Sequence, residues 1–158
     1  MSGGLERFIE AATRLGFEPQ IHRFPKGTKT AADAAQAIGC DVAQIVKSLV
    51  FMADGAPVLA LTSGRHLVDT ARLAAVLRAG QIRRATGEEA RAATGFAVGG
   101  TPPFGHPDAL RTLIDPDLLR YEVVWAGAGT HDAVFPMQPG RLAQVAGASA
   151  ADFVQIPT

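Results

Sequence analysis

The sequence predicts an α/β fold of the α+β type, in which a mixed, largely antiparallel β-sheet is surrounded by helices. Capped helical segments and short apolar strands intermingle irregularly along the chain, a pattern typical of this class. Two apolar runs flank Asp54-Gly55, a strong signal for an antiparallel hairpin. The 158 residues suit one domain, residues 1–158, and a hydrophobic content of 47% supports a sizeable core.

Five helices are predicted from apolar spacing and from residues that favour helix ends. Thr30 with Asp33 and Thr86 with Glu89 have the spacing of a capping box. Asp69 is an N-cap candidate, and Asp41 is expected to cap one further short turn. The helices are expected at residues 2–15, 30–39, 69–80, 86–95 and 139–146. The last begins with Pro, and each is closed by a Gly at its final position or directly after it.

The strands are predicted from short apolar runs between turn residues. A strand over residues 17–24 is weakened by Pro19. Beyond the hairpin, strands are expected at residues 82–85, 111–115 and 121–129, with an edge strand in the tail 151–157. The stretch 96–107 is interpreted as a strand end that runs into a loop rich in Gly and Pro.

Composition and charge limit the possible partners. The charges of fifteen basic and fifteen acidic residues cancel, so the chain lacks the excess positive charge needed to bind a long stretch of nucleic-acid backbone. A local basic patch can still bind the end of an RNA. No apolar run is long enough to span a membrane, and residues 1–16 lack the pattern of a signal peptide. With Cys40 as the single cysteine, we expect a cytoplasmic protein without membrane contact.

The sequence contains none of the common catalytic or metal motifs. The four histidines form no HxxxH or HExxH pattern, and Cys40 has no CxxC partner, so we expect no metal. No G-x-S-x-G elbow occurs, and the glycine spacing does not fit a dinucleotide fold. We therefore expect no cofactor.

Lys47 is the first candidate for a functional residue. Strand alternation places it on the same face as Leu49 and Phe51, while Ser48 faces the other way. A lysine on an apolar face is costly unless it meets an anion or lines a wet pocket. The alternative is a lysine near the end of the strand whose ammonium group reaches water. Its position in the strand does not distinguish the two.

Two glycine-rich segments are the second candidate. Residues 98–106 contain the pair Gly99-Gly100, followed after Thr101 by two prolines, and residues 127–132 come directly after the apolar strand segment YEVVWA. Adjacent glycines allow a ligand to approach the backbone closely and can point N–H groups at an oxygen. A plain turn is the alternative for the first segment, but nine residues is long for a turn. The second segment alone is a weak signal.

Taken in order, these segments resemble the YbaK/ProX family of aminoacyl-tRNA deacylases, relatives of the editing domain of bacterial prolyl-tRNA synthetase. The resemblance covers about residues 17–153, and its most specific part is the strand VKSLVF followed by GGTPPFGH. It implies a pocket for the aminoacyl-adenosine end of tRNA. The implied catalytic residues are Lys47, Gly99 and Gly100. The substrate contacts expected around them are Phe24, Ser63, Thr101, Pro103, Phe104, Gly127, Gly129, His131 and Asp132.

The resemblance implies a trans-editing hydrolase that deacylates a mischarged tRNA(Pro) or a related tRNA carrying a small amino acid. Its partner is the acceptor end of aminoacyl-tRNA, and an aminoacyl-tRNA synthetase is a further candidate partner. The substrate is expected to assist its own hydrolysis, while backbone N–H groups stabilise the oxyanion. We expect Gly100→Ala to damage turnover and to spare stability. The alternatives are a non-catalytic module that binds a nucleotide or acylated RNA end, and a hydrolase of another small acyl ester.

Overall fold

The computed structural model describes residues 3–24 and 30–156, and its elements alternate irregularly between strands and helices. The strands are β1 (His22–Arg23), β2 (Ile45–Ala53), β3 (Ala56–Ser63), β4 (Ile82–Arg84), β5 (Arg111–Ile114), β6 (Val124–Gly127), β7 (Ala133–Met137) and β8 (Ala148–Ala150). The helices are α1 (Gly4–Arg14), α2 (Ala31–Ile38), α3 (Thr70–Leu77), α4 (Gly87–Thr94) and α5 (Pro139–Ala146), with 3₁₀ turns at Val42–Gln44 and Pro116–Arg120.

All of these strands belong to one mixed sheet. Its order is β1-β7-β6-β2-β3-β5-β8, and β4 pairs with β2 outside this path. The pairings β1–β7, β6–β7, β2–β3 and β2–β4 are antiparallel, whereas β2–β6, β3–β5 and β5–β8 are parallel. The predicted fold class is therefore confirmed.

The five predicted helices are present because their local signals are satisfied. The Thr30 hydroxyl accepts the Asp33 N–H and the Thr86 hydroxyl accepts the Glu89 N–H, both at 3.1 Å, as a capping box requires. One helix end was predicted wrongly: α3 is closed by Arg78, which adopts a left-handed φ of 55°, and not by Gly80.

The hairpin between β2 and β3 is also confirmed. Asp54 and Gly55 have φ values of 49° and 82°, the left-handed pair that a tight type I′ turn requires. The Asp54 carboxylate accepts the N–H groups of Gly80 and Gln81, which fixes the start of β4 beside the turn. Hydrogen bonds from these two N–H groups lower the pKa of Asp54.

Four strand predictions need correction. The segment 17–24 contributes only the two residues of β1, and residues 96–97 continue the loop after α4 and form no strand. The edge strand is β8, just before the tail, where Val154 makes only an isolated bridge to Val68. Strand β7 was missed, because Pro136 within five residues hides the strand pattern.

The core lies on both faces of the sheet, and β2 contributes to each. Val46 and Val50 pack into a cluster with four buried phenylalanines, whereas Phe51 packs on the opposite face with α3 and Phe153. This alternation is the one predicted from the sequence. None of the helices in the described part of the chain is both long enough and apolar enough to cross a membrane.

The feature that positions the site is a change of partner along one edge of β2. Strand β3 occupies the whole of the other edge, from Val46 to Ala53. On the free edge, β6 pairs only with Ile45 and Val46, and β4 pairs only with Phe51 to Ala53. The sheet is therefore open at Lys47, Ser48 and Leu49.

Candidate functional site

A cavity of about 400 Å³ fills this opening between β4 and β6. Its floor is the stretch of β2 from Ile45 to Leu49, where consecutive residues contribute because the strand has no neighbour there. The other walls come from the start of α2, the end of β4, the loop 98–101, the strands β6 and β7 and the segment between these two strands. Their lining residues are Thr30, Ala31, Ala34, Arg84, Val98, Gly99, Thr101, Trp125, Ala126, Gly127, His131, Ala133 and Val134.

Lys47 provides the first cation of the cavity. It is half-buried, and its Nζ donates a hydrogen bond of 2.5 Å to the carbonyl oxygen of His66. Burial and the nearby Arg84 lower the pKa of Lys47, and the charge of Asp115 acts in the opposite direction. An ammonium group carries three protons, so two remain for a ligand.

Arg84 provides the second cation. Its side chain is exposed at the rim, and its guanidinium lies 5.7 Å from the centre of the Phe51 ring. Within the described ranges, no carboxylate lies within salt-bridge distance of Lys47 or Arg84, and the described lining contains no Asp or Glu. Two cations without a carboxylate favour an anionic or strongly polarised ligand.

The loop above β2 is a tight turn over residues 97–100. The Gly100 N–H donates to the Ala97 carbonyl oxygen at 3.1 Å, and Gly99 has a φ of +93°, as in a type II turn. The Thr101 hydroxyl donates to the same oxygen at 3.2 Å. The Gly100 amide is therefore engaged within the loop, and Val98, Gly99 and Thr101 are the loop residues that line the cavity.

The two glycine segments contact each other through their backbones. A Cβ on Gly100 would lie 2.7 Å from the Cα of Thr130, and the Gly100 carbonyl oxygen accepts the Gly129 N–H at 2.9 Å. Gly129 in turn meets the backbone of Gly4 at the start of α1, too closely for a side chain on either residue. The sequence signal was right about close approach, but at Gly100 the neighbour is the protein itself.

The structure brings together part of the predicted set. Lys47, Gly99, Thr101, Gly127 and His131 line the cavity. Three predicted residues are buried elsewhere: Ser63, Pro103 and Phe104. Phe104 is 3% exposed and packs with the rings of Phe8, Phe17 and Phe135, so it anchors the loop in the core.

Asp132 and Phe24 lie beside the cavity and join β1 to the second glycine segment. The Asp132 carboxylate accepts the Thr130 hydroxyl at 2.6 Å and the Arg23 guanidinium at 2.8 Å. These two contacts, the Thr130 hydrogen bond first, lower the pKa of Asp132. The Phe24 N–H donates to the Asp132 carbonyl oxygen at 2.8 Å. Neither residue is part of the described lining.

Sequence reasoning missed most of the lining residues, including Arg84, Trp125 and Ser48. Arg84 and Trp125 belong to strands that reach β2 from distant parts of the chain, and local patterns do not reveal such pairings. Ser48 has a buried Oγ without a hydrogen-bond partner among the described residues. The alternation of the ladder also points its backbone N–H and C=O away from β3, into the opening.

A larger cavity of about 770 Å³ lies behind the loop, between α1 and residues 104–110. Its charges are mixed, with Arg7 and Arg14 beside Glu10 and Asp108. His106 also lines it and makes a 2.8 Å hydrogen bond with the Pro102 carbonyl oxygen, while burial lowers the pKa of His106. Lys47 and the glycine pair do not reach this cavity, so we assign the site to the smaller one. No group of three or more potential metal ligands occurs in the described part of the chain.

The chain is similar to one protein family and to a segment of longer proteins. The model of one protein family, the aminoacyl-tRNA editing domain, matches residues 25–145. The proline–tRNA ligase of Ligilactobacillus salivarius (strain UCC118) is 33% identical over 118 residues, 70% of this chain and 21% of the ligase. That of Streptococcus pyogenes serotype M5 (strain Manfredo) is 34% identical over 116 residues, 72% of this chain and 18% of the ligase. The chain thus spans about a fifth of these relatives.

Two solved structures share the fold over nearly the whole chain. One is a protein whose proposed role is trans-editing for prolyl-tRNA synthetase, with a TM-score of 0.92, 40% identity and coverage of 99% of both chains. The other comes from work on scaffold proteins for grafted epitopes, with a TM-score of 0.92 and 35% identity, covering 99% of this chain and 100% of the other.

The backbone contact at Gly100 changes what we expect from its substitution. Gly100→Ala forces a Cβ against the Thr130 backbone, so it should lower the melting temperature by roughly 3–10 °C, the effect of a 1–3 kcal/mol overpacking cost. The matched control is Gly87→Ala, where a Cβ meets nothing within 4 Å and φ is not positive. Thermal unfolding of both variants checks this, and an unchanged melting temperature for Gly100→Ala would contradict the described contact.

Proposed function

Because the chain belongs to the aminoacyl-tRNA editing domain family, we propose that it is a hydrolase that removes wrongly attached amino acids from tRNA. The observation that carries this proposal is the cavity in the sheet opening, where Lys47 and Arg84 meet with no carboxylate in the described lining. The acceptor end of an aminoacyl-tRNA offers matching groups: phosphates and an ester carbonyl. The neutral net charge of the chain agrees with a local contact at the RNA end.

In the proposed mechanism, the Lys47 ammonium binds oxygen atoms next to the scissile ester. Water adds to the ester carbon, and the developing oxyanion is stabilised by Lys47 and by main-chain N–H groups of the loop around Gly99 and Thr101. The bond between the carbonyl carbon and the ribose oxygen then breaks, and a proton from the water passes to that ribose oxygen. We assign the proton relay to the neighbouring ribose hydroxyl, the assistance by the substrate that the resemblance to the deacylase family implies. The described lining has no carboxylate, and its one imidazole is that of His131.

The substrate we propose is tRNA(Pro) carrying a small amino acid other than proline. A cavity of about 400 Å³ is near the lower end of the usual range for ligand pockets, roughly 300–1,000 Å³. The terminal adenosine would fill much of it, which leaves space for a small side chain only. The similarity to a segment of proline–tRNA ligases supports the choice of tRNA and makes a prolyl-tRNA synthetase a candidate partner.

We further propose that residues 1–158 form one editing domain and that the protein works in the cytoplasm, where charged tRNA is used. A family match over residues 25–145 supports the first point, since it includes β2, β4, β6 and both glycine segments.

Replacement of Lys47 tests the catalytic assignment. Lys47→Ala should lower kcat/KM for deacylation by at least ~100-fold, the scale of losing one electrostatic contact to the transition state. Because burial and Arg84 lower the pKa of Lys47, wild-type activity should also decline on the alkaline side at a lower pH than an ordinary lysine would give. The measurement is turnover of tRNA(Pro) charged with alanine, serine or cysteine. Activity of Lys47→Ala within a few-fold of wild type would remove Lys47 from the mechanism, and ligand binding without wild-type turnover would favour a binding module.

Replacement of Arg84 tests the proposed contact with an RNA phosphate, and replacement of the adjacent Arg83 is the matched control. Arg84→Ala should raise KM about 10-fold, as expected for the loss of a charged hydrogen bond. It should also reduce the slope of log K against log salt by about 0.7, the value for one single-strand phosphate contact. Arg83→Ala removes the same charge next to it, but Arg83 is paired with Glu89 at 2.7 Å, away from the cavity. Equal effects of the two substitutions would show that only general charge matters.

A further inference from the structure

Asp115 is a buried acid that the proposed mechanism does not use. It follows β5, is 1% exposed and lies behind the turn Ser63-Gly64-Arg65-His66. We propose that Asp115 and His66 are positioning residues that hold the Lys47 ammonium in place through this turn. The inference rests on the proposed role of Lys47. Neither residue is in the described lining of the cavity, so both act through Lys47 and do not touch the substrate.

Asp115 holds the turn at both of its ends. Its Oδ2 accepts the Ser63 N–H at 3.1 Å and lies 2.7 Å from Nδ1 of the His66 ring. Its Oδ1 accepts the Asp117 N–H at 3.0 Å, which fixes the carboxylate at the start of the following 3₁₀ turn. A buried carboxylate that is satisfied in this way restricts every group bonded to it.

The turn is also fixed to the beginning of β2. The Gly64 N–H donates to the Ile45 carbonyl oxygen at 2.8 Å, and the Ser63 hydroxyl donates to the Ala43 carbonyl oxygen at 2.9 Å. Gly64 approaches the Val42 carbonyl oxygen too closely for a side chain. The His66 carbonyl oxygen, which accepts the Lys47 Nζ, therefore has a defined position relative to the strand that carries Lys47.

Asp115 also acts on Lys47 through charge. The Asp115 carboxylate raises the pKa of Lys47, against burial and Arg84, which lower it. Among the described residues, the other titratable groups in this cluster are His66 itself and Asp117, whose Oδ2 lies 3.6 Å from the His66 Nε2. Loss of the Asp115 charge should thus leave Lys47 with a lower pKa and a less defined position.

The test combines turnover with a direct titration of Lys47. Asp115→Asn keeps the shape of the side chain and removes its charge. We expect kcat for deacylation of mischarged tRNA(Pro) to fall about 10-fold and the alkaline limb of the rate profile to move to lower pH. The chain has only three lysines, so the ¹³Cε signals of the folded protein can be assigned with Lys47→Arg. The Lys47 titration should move to lower pH in Asp115→Asn.

The matched control is Asp41→Asn. Asp41 pairs with Arg65 of the same turn at 3.0 Å, but both side chains are about half exposed, and Asn retains the ability to cap the following 3₁₀ turn. This variant should keep the wild-type rate and the wild-type Lys47 titration. An unchanged Lys47 titration in Asp115→Asn would overturn the proposal, whether or not the rate falls.

A second pair of variants covers the case in which Asp115→Asn does not fold. His66→Ala should lower kcat several-fold, and His66→Asn, whose amide can still donate to Asp115, should recover much of the loss. Equal rates for wild type and His66→Ala, or no recovery in His66→Asn, would contradict a positioning role. If wild-type protein turns over no charged tRNA, the proposed function fails, and the Lys47 titration in Asp115→Asn and Asp41→Asn still decides the positioning.

Discussion

Strand β2 has one edge that is fully paired and one edge shared by two short strands that do not meet. The residues between those strands, Lys47 to Leu49, lie in a sheet without a neighbour on one side. An open sheet edge exposes unpaired backbone groups, which proteins usually cover or pair. Here the opening is a cavity with a lysine on its floor, and the proposed chemistry depends on this interruption of the sheet.

The surroundings of the opening keep it in shape. Phe104 anchors the loop above β2 in the aromatic cluster, and the backbone of Gly100 rests on the second glycine segment. The turn at Ser63–His66 supports Lys47 from the other side. The cavity is therefore held by backbone contacts and buried side chains, which suits a site whose proposed task is to position a substrate that supplies part of its own chemistry.

Local signals in the sequence were sufficient for the helices, the hairpin and the face of β2 that carries Lys47. These depend on caps, turn residues and alternation, each of which acts within a few residues. The parts of the site that could not be predicted from the sequence depend on strand pairings between distant segments. Arg84 and Trp125 reach the cavity only because β4 and β6 pair with β2. The same limit explains why Phe104 was predicted to contact the substrate although it packs in the core. The local sequence of a loop rich in Gly and Pro does not indicate whether a phenylalanine faces a ligand or the core.

The most direct measurement is a crystal structure with an aminoacyl-adenosine analogue in which an amide replaces the ester. The account predicts that the analogue occupies the opening in the sheet, with its carbonyl oxygen within hydrogen-bond distance of the Lys47 Nζ and its adenosine between the loop at Gly99 and the wall formed by Trp125. An analogue bound in the larger cavity beside Arg7 and His106, with the opening empty, would contradict it.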